Sequence, residues 1–359
     1  MSKRITFLMP RDGREPIGGF KVVYEYANRL VKDGYDVEIV YPAYIRRLKT
    51  NLCVEFLRKF KCFVAQNTRS DVSCKSWFKL DSRIQESYLW SLSDYRPSDK
   101  SIIIATAATT APYLHAMNAD DLKKFYLIQG FECWAGADEK AVYNTYKYGL
   151  KNISVSKWLT KKIESVGAEA DFVPNGFDTT QFKVNIIPEK RDPKTILLMY
   201  HYLKSKGVDD AMQAIEMCRK KHKDIKILMF GAVQPPRDIS ERVEFHYQPN
   251  RDLLTTLYNR AAIFVGASHN EGWGLTIGEA MLCGCAVACT DNDGYLEMAK
   301  HGQNALVSPI QDPISLANNI ERLINNDILR TGIAENASKD MLKFDLELSY
   351  VGFKTAIGL

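Results

Sequence analysis

The segment Ser268-His269-Asn270-Glu271-Gly272-Trp273-Gly274-Leu275-Thr276-Ile277-Gly278-Glu279-Ala280-Met281 sets two glutamates around a glycine-broken turn. Ala262-Ile263-Phe264-Val265-Gly266 before it reads as a short buried strand, and Thr276 to Cys283 after it as a helix. Gly272 and Gly274 therefore occupy a strand-to-helix turn, where the absence of a side chain lets backbone approach a ligand. The first amides of the helix, at Gly274 and Leu275, suit a phosphate oxygen, and a diphosphate is the natural guest. With all the steps from Glu271 to Glu279 helical, the two carboxylates would stand about 12 Å apart, and farther with an extended turn. Paired glycosidase carboxylates need roughly 5 to 9.5 Å. The spacing thus suits carboxylates that grip two parts of one long ligand, such as hydroxyls of two sugars flanking a diphosphate. Glu279 as an ordinary solvated helix residue is the competing reading.

The same segment resembles the donor-site motif of the family 4 retaining glycosyltransferases, which have the GT-B fold. Further matches follow in the family's order. Ile5-Thr6-Phe7-Leu8-Met9-Pro10 leads to Gly18-Gly19 and a helix with Val22, Val23, Tyr26, Ala27 and Leu30 on one face. Asn152-Ile153-Ser154-Val155-Ser156 and Phe172-Val173-Pro174-Asn175-Gly176-Phe177-Asp178 resemble the passage out of the first domain. Lys206-Gly207 opens a helix after the strand Thr195 to Met199, and Asp293-Gly294-Tyr295-Leu296-Glu297 follows the glutamate motif.

The resemblance implies two Rossmann-like doubly wound α/β domains facing a cleft. The first, about 1–180, would bind the acceptor, and the second, about 181–335, the nucleotide-sugar donor. An amphipathic helix at 341–357 would pack back on the first domain. Length agrees, since 359 residues exceed what one core usually serves and 46% hydrophobic content can fill two. Alternating strands and amphipathic helices argue for mostly parallel sheets.

The site implied by the resemblance draws on both domains. Gly18, Gly19, His201, Lys204, Lys206, His269, Gly272, Trp273, Gly274, Leu275 and Glu279 would bind the donor, with Glu271 and Lys206 as catalytic residues. Glu271 would hold the donor sugar's hydroxyls and Glu279 the ribose. The family pattern places an arginine where His201 stands, and an imidazole is charged only in part near neutrality; Lys204 is the neighbouring cation that could compensate. In Leu127-Ile128-Gln129-Gly130-Phe131-Glu132, relatives often carry a histidine at the acceptor mouth, so Gln129 or Glu132 would face the acceptor here. Phe131 and Trp134 would floor a sugar or lipid site, with burial as core the alternative.

The implied reaction is transfer of a sugar from a nucleoside-diphosphate sugar with retention, without a metal or other cofactor. The acceptor would be a glycan or lipid-linked glycan of cell-surface polysaccharide synthesis. The triplet Asp291-Asn292-Asp293 precedes Gly294 and reads as a turn rather than a metal–diphosphate site. Two other classes stay open. Gly272-x-Gly274-x3-Gly278 has a likeness to a dinucleotide fingerprint, which would mean an NAD-dependent sugar-nucleotide enzyme, but it follows a late strand and has one residue too many. A transferase-like partner subunit without activity is the other, favoured by His201 and opposed by the glutamate pair.

Net charge is +5, and Tyr44 to Lys61 carries Arg46, Arg47, Lys49, Arg58, Lys59 and Lys61 against Glu55 alone. Ile45, Leu48, Leu52, Phe56, Phe60 and Phe63 recur at helical steps beside this basic face. The stretch 44–63 reads either as a helix lying on an anionic membrane or as a surface helix packed on the core. A nucleic-acid surface is not expected, because the basic residues cluster in one segment and reader motifs are missing. No apolar run reaches the roughly 20 residues of a bilayer span, and no signal-peptide layout opens the chain. The expected location is the cytoplasm, and peripheral on the inner face of the cell membrane if 44–63 is the membrane helix. Eight cysteines without a CxxC pair fit a reducing compartment, with Cys283, Cys285 and Cys289 expected in the core rather than on a metal.

Overall fold

The computed structural model describes residues 3–48, 51–66, 73–98, 100–118, 121–133 and 138–359. The chain forms two compact units, Met1–Pro174 with Tyr350–Leu359, and Asn175–Ser349.

The first unit holds seven parallel strands: β1 (Arg4–Leu8), β2 (Asp36–Pro42), β3 (Gln85–Leu89), β4 (Ile102–Ala105), β5 (Lys123–Ile128), β6 (Lys151–Ser154) and β7 (Ala170–Phe172), in the order β3-β2-β1-β4-β5-β6-β7. Central strands such as Ile102-Ile103-Ile104-Ala105 are apolar at every position because helices cover both faces of the sheet. The helix Gly18–Lys32 buries the expected stripe of Val22, Val23, Tyr26, Ala27 and Leu30. The C-terminal end of the chain completes this unit. Phe353, fully buried, stacks on Tyr26 at 4.3 Å and Phe7 at 6.1 Å, while Tyr350 and Lys354 both bond the Asp33 carboxylate. Burying one such ring contributes about 1.5–3 kcal/mol.

The second unit holds six parallel strands: β8 (Thr195–Tyr200), β9 (Lys226–Gly231), β10 (Glu244–Tyr247), β11 (Ile263–Gly266), β12 (Ala286–Thr290) and β13 (Leu306–Ser308), in the order β10-β9-β8-β11-β12-β13. On one face Ile196, Leu198, Ile263, Val265 and Ala288 share a core with Ala211 and Ile215 of one helix and Leu316 and Ile320 of another. Two doubly wound parallel sheets are what the alternating pattern predicted.

The boundaries differ from the sequence reading. The first unit ends at Pro174 rather than at 180, because the Phe177 amide donates to the Phe344 carbonyl at 2.8 Å and the Leu346 amide to the Phe177 carbonyl at 2.9 Å. These non-local bonds bind the segment after Pro174 into the second unit. The expected single helix at 341–357 is instead the end of helix Asp327–Met341, one turn at Leu342–Phe344, and a separate helix Leu346–Ala356. The chain breaks at Asp345, whose Oδ1 accepts the Glu347 amide at 2.8 Å and so starts the last helix.

Cys283, Cys285 and Cys289 are fully buried, and burial pushes the thiols of Cys285 and Cys289 up to about 11 and about 12. They are neutral core side chains. Among the described residues no helix is long and apolar enough to cross a membrane.

Candidate active site

The six-stranded sheet has one place where the strand order reverses. From β8 the chain winds outward through β9 and β10, then returns to β11 and winds the other way through β12 and β13. The loops leaving the carboxyl ends of β8 and β11 therefore diverge, and ligands of open α/β sheets bind in that crevice. Here the β8 loop carries His201 to Lys206 and the β11 loop carries Ser268 to Gly274.

The two loops are tied together. The His269 amide donates to the Ser205 carbonyl at 2.8 Å, and His269 Nε2 lies 2.7 Å from Asp210 Oδ2 in the first turn of helix Val208–Arg219. Gly207 has φ 62°, and a Cβ there would overlap the Ala267 carbonyl, so only glycine lets the loops come this close. Across the junction Lys206 Nζ meets Glu271 Oε1 at 2.8 Å, and Ser268 Oγ donates to the same oxygen at 2.8 Å. Lys206 and Glu271 side chains are 24% and 17% exposed, so a ligand can reach both.

Gly274 ends the turn with φ 107° and ψ 57°, and a Cβ there would lie 2.6 Å from the Tyr295 ring. Helix Leu275–Leu282 starts immediately after it, with no side chain capping its first amides. Those amides lack intrahelical acceptors and point toward the crevice end of the helix. One helical turn in, Glu279 is 4% exposed and accepts from the Tyr258 hydroxyl at 3.1 Å. It is not a solvated helix residue. Burial and the Glu279 carboxylate both push the Tyr258 phenol well up, so it stays a donor to that carboxylate.

Other expected residues take more particular positions. The indole of Trp273 is 2% exposed and packs edge-on against Phe344 at 5.1 Å, so the side chain is core and only its backbone borders the turn. His201 Nδ1 accepts the Leu203 amide at 3.0 Å, so the ring is held against its own loop. Lys204 is exposed at the start of the single turn that Lys206 closes. Asn292 caps the helix Asp293–Leu296 and donates to the Ser268 carbonyl at 2.8 Å, while Asp291 Oδ1 accepts the Ile310 amide at 3.0 Å. The acidic triplet thus braces the Glu271 loop as a turn.

The first unit also has a reversal, between β1 and β4. Gly18 and Gly19 open the helix after β1, and Gln129, after β5, donates from Nε2 to the Gly19 carbonyl at 3.0 Å. Gln129 therefore points into the glycine loop. Phe131 is 7% exposed, covered by the Tyr143 ring at 5.2 Å and the Lys162 ammonium at 4.4 Å, so it is core and not an open floor. Trp134 lies outside the described residues. Glu132 reaches the loop after β4 and accepts the Ala108 amide at 3.0 Å.

Burial pushes the Glu132 carboxyl up to about 7, against the opposing pull of the Ala108 amide. Its folded value lies above the usual carboxylate range of about 4.3. The folded state therefore holds a proton that the unfolded state has released, and stability falls as pH rises from about 4 through about 7. Glu132→Gln should raise the melting temperature at pH 8 and leave it nearly unchanged at pH 4.5, as read by scanning calorimetry. Equal effects at both pH values would refute the assignment.

Sequence reasoning did not single out Ser268, Asp210 or Tyr258. Each acts through a partner on another element, so spacing carries no signal for it; only the run Ser268-x-x-Glu271 hints that the serine can reach its glutamate.

Residues 179–340 match the family described as glycosyl transferases group 1. An N,N'-diacetylbacillosaminyl-diphospho-undecaprenol alpha-1,3-N-acetylgalactosaminyltransferase of Campylobacter jejuni is 26% identical over 268 residues, covering 68% of this chain and 69% of the relative. The capsular polysaccharide biosynthesis glycosyltransferase CapM of Staphylococcus aureus is 24% identical over 229 residues, covering 60% of this chain and 59% of that protein. Among solved structures, TarM superposes with a TM-score of 0.75 at 11% identity over 100% of this chain and 99% of its own. Anabaena HepE in complex with UDP-glucose superposes with a TM-score of 0.71 at 16% identity over 99% and 100%. With its second unit matched by the group 1 glycosyltransferases and both sheets matched by GT-B transferases, the chain is similar to glycosyltransferases of the family 4 type and has the GT-B fold.

Proposed function

We propose that the chain transfers a sugar from a nucleoside-diphosphate sugar to a glycan or lipid-linked glycan acceptor in surface polysaccharide synthesis, with retention at the anomeric carbon and no divalent ion. The observation that carries this reading is the meeting of Lys206 and Glu271 at the strand-order reversal, beside the uncapped start of helix Leu275–Leu282. A diphosphate seated there would receive the lysine charge and the helix amides, which stabilise the charge that develops as the anomeric C–O bond breaks. The acceptor oxygen bonds to the same face of that carbon, and its proton passes to the leaving phosphate oxygen. Glu271 holds donor hydroxyls, and Glu279, oriented by Tyr258, addresses the ribose. The C. jejuni and S. aureus relatives, named for lipid-linked and capsular glycans, support the acceptor class. Such an acceptor places the protein peripherally on the inner face of the cell membrane, approached through residues 44–63.

The test is thermal stabilisation by a panel of nucleoside diphosphates, nucleotide sugars and NAD. A ligand at about 100 times its dissociation constant adds about 2.7 kcal/mol. The expected result is a rise with one nucleoside diphosphate and its sugar derivatives. A rise with NAD alone, or with nothing, overturns the reading.

A further inference from the structure

A cavity of about 680 Å³ opens in the second unit at the amino ends of β8, β9 and β10, where Thr195, Lys226 and Glu244 begin the strands. The candidate active site lies at the other end of the same sheet, on loops that leave the carboxyl ends of β8 and β11. The six residues of β8 set the two places about 16 Å apart. Small-molecule sites run from about 300 to 1,000 Å³, so the cavity has room for a ligand. None of the residues assigned to the donor lines it.

Its charge indicates the kind of ligand. Lys190, Arg191, Arg219, Lys226, Arg242 and Arg260 line the cavity against half as many acids. Glu244 is committed to Arg260 through two bonds of 2.7 and 2.8 Å, and Glu241 turns to Arg237, which does not line the cavity. Asp192 meets Lys226 at 3.2 Å. Glu216 is shared by Arg219 at 3.2 Å and Arg242 at 3.3 Å, with Asp238 3.9 Å from Arg242. Lys190 is exposed and enters no ion pair among the described residues. Helix dipoles account for Arg219 and Arg260, which stand in the last turns of their helices. They do not account for Lys190, which closes a single turn, or for Lys226 at the head of β9. Exposed ion pairs contribute little, whereas a phosphate takes shorter and stronger bonds from arginine, often two at once. An anion can therefore displace the looser carboxylates here. The rest of the lining includes Ile186, 41% exposed, and Val243. Such apolar surface suits the body of a phosphorylated molecule better than a bare ion.

We propose that this cavity is a second ligand site, which takes a phosphate-bearing small molecule through Lys190, Arg219 and Arg242, apart from the donor crevice. The inference does not depend on the transferase reading.

The experiment is calorimetric titration of the full chain with inorganic pyrophosphate at low salt. It compares the wild type, Lys206→Ala, the pair Lys190→Gln with Arg242→Gln, and all three changes together. The wild type is expected to bind twice, at the crevice and at the cavity. Lys206→Ala should keep the cavity binding, and adding the glutamine pair should weaken what remains by about tenfold or more, through the loss of charged hydrogen bonds. The glutamine pair alone should keep the crevice binding. Both replaced side chains are exposed, and an unchanged melting temperature checks the fold. Phenyl phosphate should bind Lys206→Ala more tightly than inorganic phosphate does, because its ring covers Ile186 and Val243; equal affinities would overturn the phosphorylated-molecule class. Loss of all pyrophosphate binding in Lys206→Ala, or binding there that ignores the glutamine pair, overturns the site. Cavity binding in a wild type that shows no nucleoside-diphosphate shift would sink the transferase reading and leave the cavity standing.

Discussion

Lys206→Ala is expected to lower kcat by about 10² to 10³-fold, the range seen when one preorganised charge stabiliser is removed. Lys206 is the cation that the β8 loop delivers to the strand-order reversal, where it meets Glu271 from the β11 loop at 2.8 Å. The Nδ1 of His201 accepts the Leu203 amide within its own loop, and Lys204 is exposed. On the proposed mechanism Lys206 is the cation placed against the diphosphate. Lys206→Ala also leaves Glu271 facing the phosphates with Ser268 as its donor among the described residues, which adds repulsion to the loss of attraction. The companion variant separates the two effects. Glu271→Gln should keep or tighten binding of the nucleoside diphosphate alone, since Lys206 no longer shares its charge, while turnover falls because the donor sugar loses its carboxylate. Steady-state kinetics together with nucleotide thermal shifts read both. An unchanged kcat in Lys206→Ala would remove the lysine from the mechanism.

The doubly wound fold was legible because parallel strands covered on both faces read as unbroken apolar runs, as in Ile102-Ile103-Ile104-Ala105. The turn at Gly272–Gly274 was legible because glycines at a strand-to-helix junction have few other uses. What stayed hidden depended on contacts between distant elements. Nothing near Glu279 announces Tyr258, and nothing near His269 announces Asp210. The unit boundary is set by bonds from Phe177 to Phe344 and Leu346, which lie far apart in sequence and leave no local mark. The helix Leu52–Gln66 shows the limit most clearly: periodicity finds an apolar stripe but carries no sign for which side faces inward. That sign comes from Tyr44, outside the helix, which holds Glu55 on the inner side. The aromatic residues assigned to the site, Trp273 and Phe131, proved to be core for the corresponding reason, since a ring beside a ligand and a ring beneath a loop have the same local sequence.

Arg191→Met should destabilise the second unit by about 3–5 kcal/mol, the usual loss when one partner of a buried charged network is removed. Arg191 is 5% exposed, and its guanidinium is satisfied almost entirely by backbone: Nε reaches the Ile186 carbonyl at 3.0 Å, Nη1 the Tyr258 and Ala261 carbonyls at 3.1 and 2.9 Å, and Nη2 the Cys283 carbonyl. Ala261 and Cys283 are the C-caps of helices Arg251–Arg260 and Leu275–Leu282, so one cation closes the negative ends of both. Methionine fills most of the volume but donates nothing, leaving several buried carbonyls unpaired at once. For a unit of this size the loss corresponds to a fall in melting temperature of about 6 to 20 °C. Urea titration should show a lower midpoint with an unchanged slope. Lysine cannot reach carbonyls on two sides, so Arg191→Lys should recover less than half of the difference. The helices that Arg191 caps also carry Tyr258 and Glu279, so the methionine variant should lose ribose-dependent donor affinity before it unfolds, and a variant within about 1 kcal/mol of wild type would show that the carbonyls find water instead.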